Sequence, residues 1–462
     1  MFSYKKNNGG DTHAEHLFVG IHISSAFRKL ETAIIACDAA RPGALLTLQK
    51  SVSFDLPSEL VDFYEETLEG VRLEQDNDFL KRHSPSEYEE FGEFFLKQPS
   101  TPKNRKKVKG ASSLANLSLL RKMTTSIQRE AVHELLADSN VAQGKIVAIA
   151  VNDPGIWLPS EDEQSGYRYS VSDGASLAVQ TGMNVFSSLF PSDWSQKNCG
   201  SSFLTFPYWV LLSNRDKARL LIDLGETARW TYIPANQTSD SWSHILHNEV
   251  VPCGSLLNLF TFQATKGESL IDVGGRLSVQ GRRSSELLDF WDRFQCQTLN
   301  GKKLPPRYYV SSQGDVLNEM FYFDSLKSAP QKFSSLDALC GSVYWITEQI
   351  KKSVNIHAPK FKEPYDIVLT GGAKQNGLLF SRLSELFETN AFHKLSEYGF
   401  LEDSFDAVAV ATLAALLASG TPIPLANSNN SSNNNYFWGK TSPGIPEAWT
   451  RFIKFASDRV DI

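Results

Sequence analysis

The sequence predicts an α/β protein whose two lobes face a common cleft, and three observations carry that expectation. The chain opens on three strand-like runs followed by a helical stripe. A strand–turn–strand pattern from Arg219 to Thr227 turns on Gly225. A further strand, Tyr365 to Leu369, runs into Thr370-Gly371-Gly372-Ala373-Lys374-Gln375-Asn376. A strand, a glycine turn and a helix together form an anion- or nucleotide-binding arrangement, because backbone N–H groups point outward where small residues allow close approach. At 462 residues the chain can bury a large core, and two domains are the natural organisation.

Taken in order, residues 1–15 read as a flexible N-terminus. His16 to Ser24, Leu30 to Cys37 and Leu45 to Phe54 read as strands, being apolar or β-branched runs with polar and small residues between them. Leu60, Val61, Phe63, Tyr64, Leu68 and Val71 make a helical stripe. Residues 75–110 read as an insertion. It holds a basic cluster, Lys103 to Lys109, which is either a solvated surface segment or a nuclear import signal. Leu114 to Leu136 is an amphipathic helix with Leu117, Leu120, Ile127, Ala131 and Leu135 on one face.

Lys145 to Val151 is a buried strand leading into Asn152-Asp153-Pro154-Gly155. Asp173 to Gln180 reads as a helix and Met183 to Leu189 as a strand. A polar loop with Asp193, Cys199 and Gly200 follows, then a helix with an aromatic face, Phe206 to Leu212. Helices are expected again at Leu287 to Phe294 and Leu336 to Ser353. The Ala-rich run Phe405 to Ala418 forms a last helix returning to the first lobe, and Asn427 to Asn435 is low-complexity. The first lobe is thus expected at 16–182 plus 400–462, and the second at 183–399.

Composition narrows the function classes. Hydrophobic content of 41% and charged content of 21% are those of a globular protein, and a net charge of −6 argues against general nucleic-acid binding. The five cysteines are odd in number and form no CxxC pair, which argues against a disulfide framework or a zinc site. The first residues lack an apolar signal core, and Ala407 to Gly420 is too short to span a membrane. The expectation is a cytoplasmic or nuclear protein without a membrane partner.

The stretch from Ser170 to Arg229 resembles the anhydrosugar kinases, bacterial anhydro-N-acetylmuramic acid kinase and its fungal relative levoglucosan kinase. The matching positions are Asp173-Gly174-Ala175, Thr181-Gly182-Met183, Asp193, Gly200 and Asp223-Leu224-Gly225. Asp272-Val273-Gly274-Gly275, Gly371-Gly372-Ala373 and the ending Gly439-Lys440-Thr441-Ser442-Pro443-Gly444 extend the match. The resemblance implies the two-lobed actin/hexokinase-like fold, with ribonuclease-H-like lobes, and a divergent fungal-type member of the group. It also implies a carbohydrate ligand, a homodimer and, for an active enzyme, Mg-ATP. The reaction would open a 1,6-anhydro ring by water attack while the released oxygen takes the γ-phosphate.

Site residues follow from the same resemblance. Counting from Gly225 puts Glu249 at the place of the catalytic base, beside Asp193. Gly225, Gly371, Gly372 and Ala373 take nucleotide-binding places, and Asp193, Asn152 and Gly200 take substrate-binding places; no metal ligands are assigned. The departures are concentrated at the phosphate loops. The first reads Ile23-Ser24-Ser25-Ala26-Phe27-Arg28-Lys29-Leu30-Glu31, without its two glycines and with Arg28 for an aspartate. The second has Glu226 and Arg229 for Gly and Asn. Phe190 replaces an arginine and Cys199 a glutamine. Two readings of different class result: a catalytically impaired, pseudokinase-like scaffold or regulator, and an active ATP-dependent kinase of a 1,6-anhydrosugar or related carbohydrate.

Overall fold

The computed structural model describes residues 3–4, 16–38, 45–82, 113–159, 166–189, 201–238, 241–298, 317–361, 363–421, 423 and 439–458. The strands are β1 (Ser3–Tyr4), β2 (His16–Ile23), β3 (Lys29–Cys37), β4 (Leu45–Asp55), β5 (Ile146–Asn152), β6 (Ile156–Pro159), β7 (Gly166–Tyr169), β8 (Val185–Ser187), β9 (Ala218–Leu224), β10 (Thr227–Ile233), β11 (Leu246–Pro252), β12 (Tyr365–Thr370), β13 (Phe392–His393) and β14 (Lys440–Ser442). The helices are α1 (Ser58–Arg82), α2 (Ser113–Ser139), α3 (Gly174–Thr181), α4 (Thr205–Leu212), α5 (Gly254–Ala264), α6 (Ser285–Thr298), α7 (Glu319–Ser325), α8 (Ser335–His357), α9 (Gly377–Leu386), α10 (Phe405–Ala418) and α11 (Pro446–Ser457).

The first sheet has the order β1-β4-β3-β2-β5-β8-β14 and the second β11-β10-β9-β12-β13. Each is built around the same five-strand plan. Three antiparallel strands come first (β2-β3-β4, β9-β10-β11), and two parallel strands then join the other side of the first strand (β5 and β8, β12 and β13). This repeated ribonuclease-H-like plan is the two-lobed actin/hexokinase-like fold.

The strands of the first sheet are covered on both faces, which is why β2 reads as an unbroken apolar run instead of an alternating one. Helix α10 lies on one face. All its residues except Asp406 are buried, so it is apolar all round, as a fully packed helix must be. Gly20 of β2 sets the spacing. A Cβ there would overlap the Ala407 carbonyl oxygen and the Ala411 nitrogen, so the helix rests on bare backbone. Helices α1 and α2 cover the opposite face with Leu60, Val61, Leu120 and Leu135.

Three sequence expectations change in detail. The strand expected at Met183 to Leu189 is only Val185–Ser187, and it pairs with β5 in the first sheet, beyond the expected limit of that lobe at 182. Helix α1 continues to Arg82, into the expected insertion. Strand β11 was not anticipated, because its half-buried surface carries polar His247, Asn248 and Glu249. The basic cluster at 103–109 lies outside the described residues. The G-K-T-S-P-G ending closes the first sheet: β14 pairs antiparallel with β8, and Asn184 bonds the Val147 and Ala448 carbonyls and the Gly444 N–H. Among the described residues no helix is long and apolar enough to cross a membrane.

Candidate active-site cleft

The first lobe brings a chain of polar side chains to the ends of β2 and β5 and the start of α10. Asn152 Nδ2 donates to His22 Nδ1 at 2.8 Å, which leaves the ring proton on Nε2, 3.5 Å from Asp406 Oδ2. Tyr208 of α4 donates its hydroxyl to Asp406 Oδ1 at 2.7 Å. Burial lowers the His22 pKa against the pull of Asp406, so the ring is neutral at physiological pH. Burial, then Asp406, pushes the Tyr208 hydroxyl up. Glu31, opposite His22 on β3, is pushed well above the usual carboxylate range by burial and then by Asp406. Asp153 is held by Arg168 at 3.3 Å, Ser170 Oγ at 2.6 Å and the Val171 N–H at 3.2 Å, so it is a structural carboxylate.

The second lobe presents the inner face of its β-meander. Arg229 and Asp223 face each other across β9 and β10 and pair at 2.9 Å. Glu249 stands opposite Arg229 on β11 and is buried. Burial alone would lower the Arg229 pKa, but Asp223 and Glu249 overcome it and hold the guanidinium fully charged. Burial also forces His247 down to about 3, with Arg229 adding to the effect, so its ring accepts or donates as a neutral partner of Thr231 Oγ1 at 2.9 Å.

The two glycine turns meet. Gly371 has φ +84°, and a Cβ there would overlap the Leu224 carbonyl carbon and the Gly225 nitrogen and lie 2.6 Å from Asp223 Oδ1. Gly372 and Gly274 have open space around their Cα atoms, and Asn376 caps α9 by accepting the Leu379 N–H at 3.1 Å. Of the residues expected at the site, Gly371 lies against the Gly225 turn, Glu249 stands opposite Arg229 and Asn152 bonds His22, while Ala373, beside Gly372, packs against the core of the second lobe. Asp193 and Gly200 lie outside the described residues.

The phosphate turns differ from the sequence reading in mechanism. Phe27 is fully buried and stacks on Tyr64 at 4.1 Å, although its φ is +52°, so its bulk points into the core and not toward the turn. Arg28 pairs with Glu65 of α1 at 2.9 Å. The turn's donors are instead consumed by Ser24, whose Oγ accepts the N–H of Arg28 at 3.3 Å and of Lys29 at 3.1 Å. At the second turn, the Asp223 carboxylate lies against Gly225, and burial pushes its pKa up while Arg229 holds it down. Glu226 stands between the turns, within the fields of Glu319, Arg28 and Glu65. Burial, then Glu319, pushes its carboxyl up to about 7.

That position gives a pH signature. A carboxyl whose folded pKa is raised stabilises the fold below its unfolded value of 4.5 and loses that contribution as pH rises through about 7. Its half-buried side chain keeps some solvent contact, so the loss is expected at about 1–3 kcal/mol. Glu226→Gln should remove that share of the decline in unfolding free energy between pH 5 and pH 8. Parallel declines in both proteins would show that Glu226 does not titrate there.

His22, Tyr208, Asp223 and Asp406 have no role assigned from sequence. Nothing local marks them: each sits in an ordinary strand or helix, and only folding brings them to one place. Cys253, buried against the second turn, has its thiol pushed up by burial and then by Asp223, which makes it unreactive.

Comparison with known proteins gives a family and relatives. The family model for anhydro-N-acetylmuramic acid kinase matches residues 103–437. The anhydro-N-acetylmuramic acid kinase of Shewanella denitrificans is 23% identical over 336 residues, 72% of this chain and 84% of that protein. That of Microcystis aeruginosa is 26% identical over 259 residues, 55% of this chain and 66% of that protein. Among solved structures, the activator of the 2-hydroxyisocaproyl-CoA dehydratase from Clostridium difficile aligns at a TM-score of 0.36 and 11% identity, covering 90% of this chain and 100% of that one.

Proposed function

The chain belongs to the anhydro-N-acetylmuramic acid kinase family, and from that premise we propose that it is a non-catalytic, pseudokinase-like member that serves as a scaffold or regulator. One observation carries this reading. Two backbone donors of the first phosphate turn, the N–H groups of Arg28 and Lys29, are used internally by Ser24 Oγ, and at the second turn the Asp223 carboxylate lies against Gly225. A triphosphate in this fold draws its affinity from such N–H groups together with Mg²⁺. With the donors taken and Glu226 between the turns, several losses of about 1–3 kcal/mol each accumulate.

The alternative is an active kinase of a 1,6-anhydrosugar or related carbohydrate, with Mg-ATP as cosubstrate and Glu249 as base. The contact of Gly371 with the Gly225 turn, and the placement of Glu249 beside Arg229, favour it. Asn152 would then face the sugar. Calorimetry with Mg-ATP, paired with a coupled assay on levoglucosan and anhydro-N-acetylmuramic acid, separates the two. The expected outcome is no binding at millimolar nucleotide and no turnover. Micromolar binding, with turnover lost in Glu249→Gln, would establish the kinase.

A further inference from the structure

Two acidic residues on the segment that returns the chain to the first lobe hold a lysine from each side of the cleft. Lys374, in the glycine turn of the second lobe, pairs with Glu402; the side chains are only 15% and 35% exposed. Lys29, at the end of the first phosphate turn, lies 3.5 Å from Asp403. The segment bearing these acids is fixed to the first lobe, because Ser404 donates to Ser51 Oγ of β4 at 2.7 Å and α10 begins at the next residue. On its other side, Tyr398 is tied to β9 of the second lobe by Arg219, whose guanidinium stacks on the ring at 4.2 Å. Between these anchors lie Gly399, with φ +90°, and the exposed Leu401. Phe400 between them is buried against Phe405 at 5.3 Å and belongs to the first-lobe anchor, so the left-handed glycine before it is where the connection can bend.

We propose that Glu402 and Asp403 form a built-in acidic clamp that takes lysines on both sides of the cleft and holds the lobes closed without nucleotide. The inference rests on the non-catalytic reading of the same site, and says how that site is kept in one conformation. The energetic weight falls on Lys374–Glu402. A partly buried pair leaves an uncompensated charge when one partner goes, whereas the exposed Lys29–Asp403 contact is worth little and mainly orients the segment. An anion bound by several N–H groups would ordinarily draw such turns together; here carboxylates of the chain itself meet the lysines.

The test reads lobe separation directly. Bio-orthogonal fluorophores at Val179 of the first lobe and Ile356 of the second, both strongly exposed, report the distance by energy transfer. Wild type should give one short-distance population, unchanged by nucleotide. Lys374→Glu should move the mean to longer distance and raise the open population about tenfold, and adding Glu402→Lys should restore it. Lys374→Met serves if the charge reversal does not fold, with the same shift expected. An unchanged distance in a folded Lys374→Glu or Lys374→Met protein overturns the clamp. Because the variants are compared without nucleotide, a wild type that binds Mg-ATP would sink the non-catalytic reading and leave the distance result standing.

Discussion

Replacing Ser24 and Glu226 together by glycine should create Mg-ATP binding that the wild type, on the non-catalytic reading, lacks. Ser24 Oγ now accepts two turn N–H groups, and Glu226 sets a carboxyl between the two turns. Ser24→Gly frees both donors at a cost of about 1 kcal/mol in turn stability. Glu226→Gly removes a buried carboxyl that could sit beside a phosphate only by holding a proton, and gives the backbone closer approach. Recovering donors at about 1–3 kcal/mol each should tighten binding by roughly 10- to 1000-fold. Calorimetry on the double variant, at a pH where its melting matches wild type, reads the effect. Silence in a well-folded double variant would mean that the blockade lies elsewhere, with Arg28 as the next residue to change.

Gly20→Ala should strongly destabilise the first lobe. The new Cβ meets main chain, Ala407 O and Ala411 N, and neither can swing away as a side-chain tip would. Helix α10 would have to lift from β2, which opens contacts along its length and moves Asp406 away from His22 and Tyr208. Overpacking of a good core costs about 1–3 kcal/mol and more where backbone must shift; the upper end or beyond is expected here. Urea unfolding of the full chain measures it. A loss below about 0.5 kcal/mol, the scale of ordinary surface changes, would show that α10 is seated more loosely than its spacing implies. Pairing the variant with Ala411→Gly, which leaves the Ala407 carbonyl in place, should give little rescue.

The sequence alone determined the two-lobed plan, for a physical reason. Runs such as β2 and α10 are apolar all round because both of their faces are covered, and the glycines at 225 and 371 stand where backbone must approach backbone. Those are local demands, so they leave a local trace. It also located the phosphate turns as the place where this chain departs from its relatives, since Ser24, Arg28 and Glu226 are visible as letters. What the letters could not convey was direction. Phe27 is a bulky letter within the first turn, and the fold sends it into the core against Tyr64. Ser24 read as one of two missing glycines, and its hydroxyl accepts the N–H groups of Arg28 and Lys29.

Tertiary structure decided the rest. The chain Asn152–His22–Asp406–Tyr208 spans positions 22 to 406, and the charged set Asp223–Arg229–Glu249 depends on strand register. The Lys374–Glu402 pair joins a turn of one lobe to a segment of the other. In each case the energy of a side chain comes from neighbours remote in sequence and from removal of water. Burial sets the neutral state of His22 and His247 and the raised carboxyls of Glu31 and Glu226. Charge, burial and direction at a site are properties of the packed chain, because no residue carries its own dielectric surroundings with it.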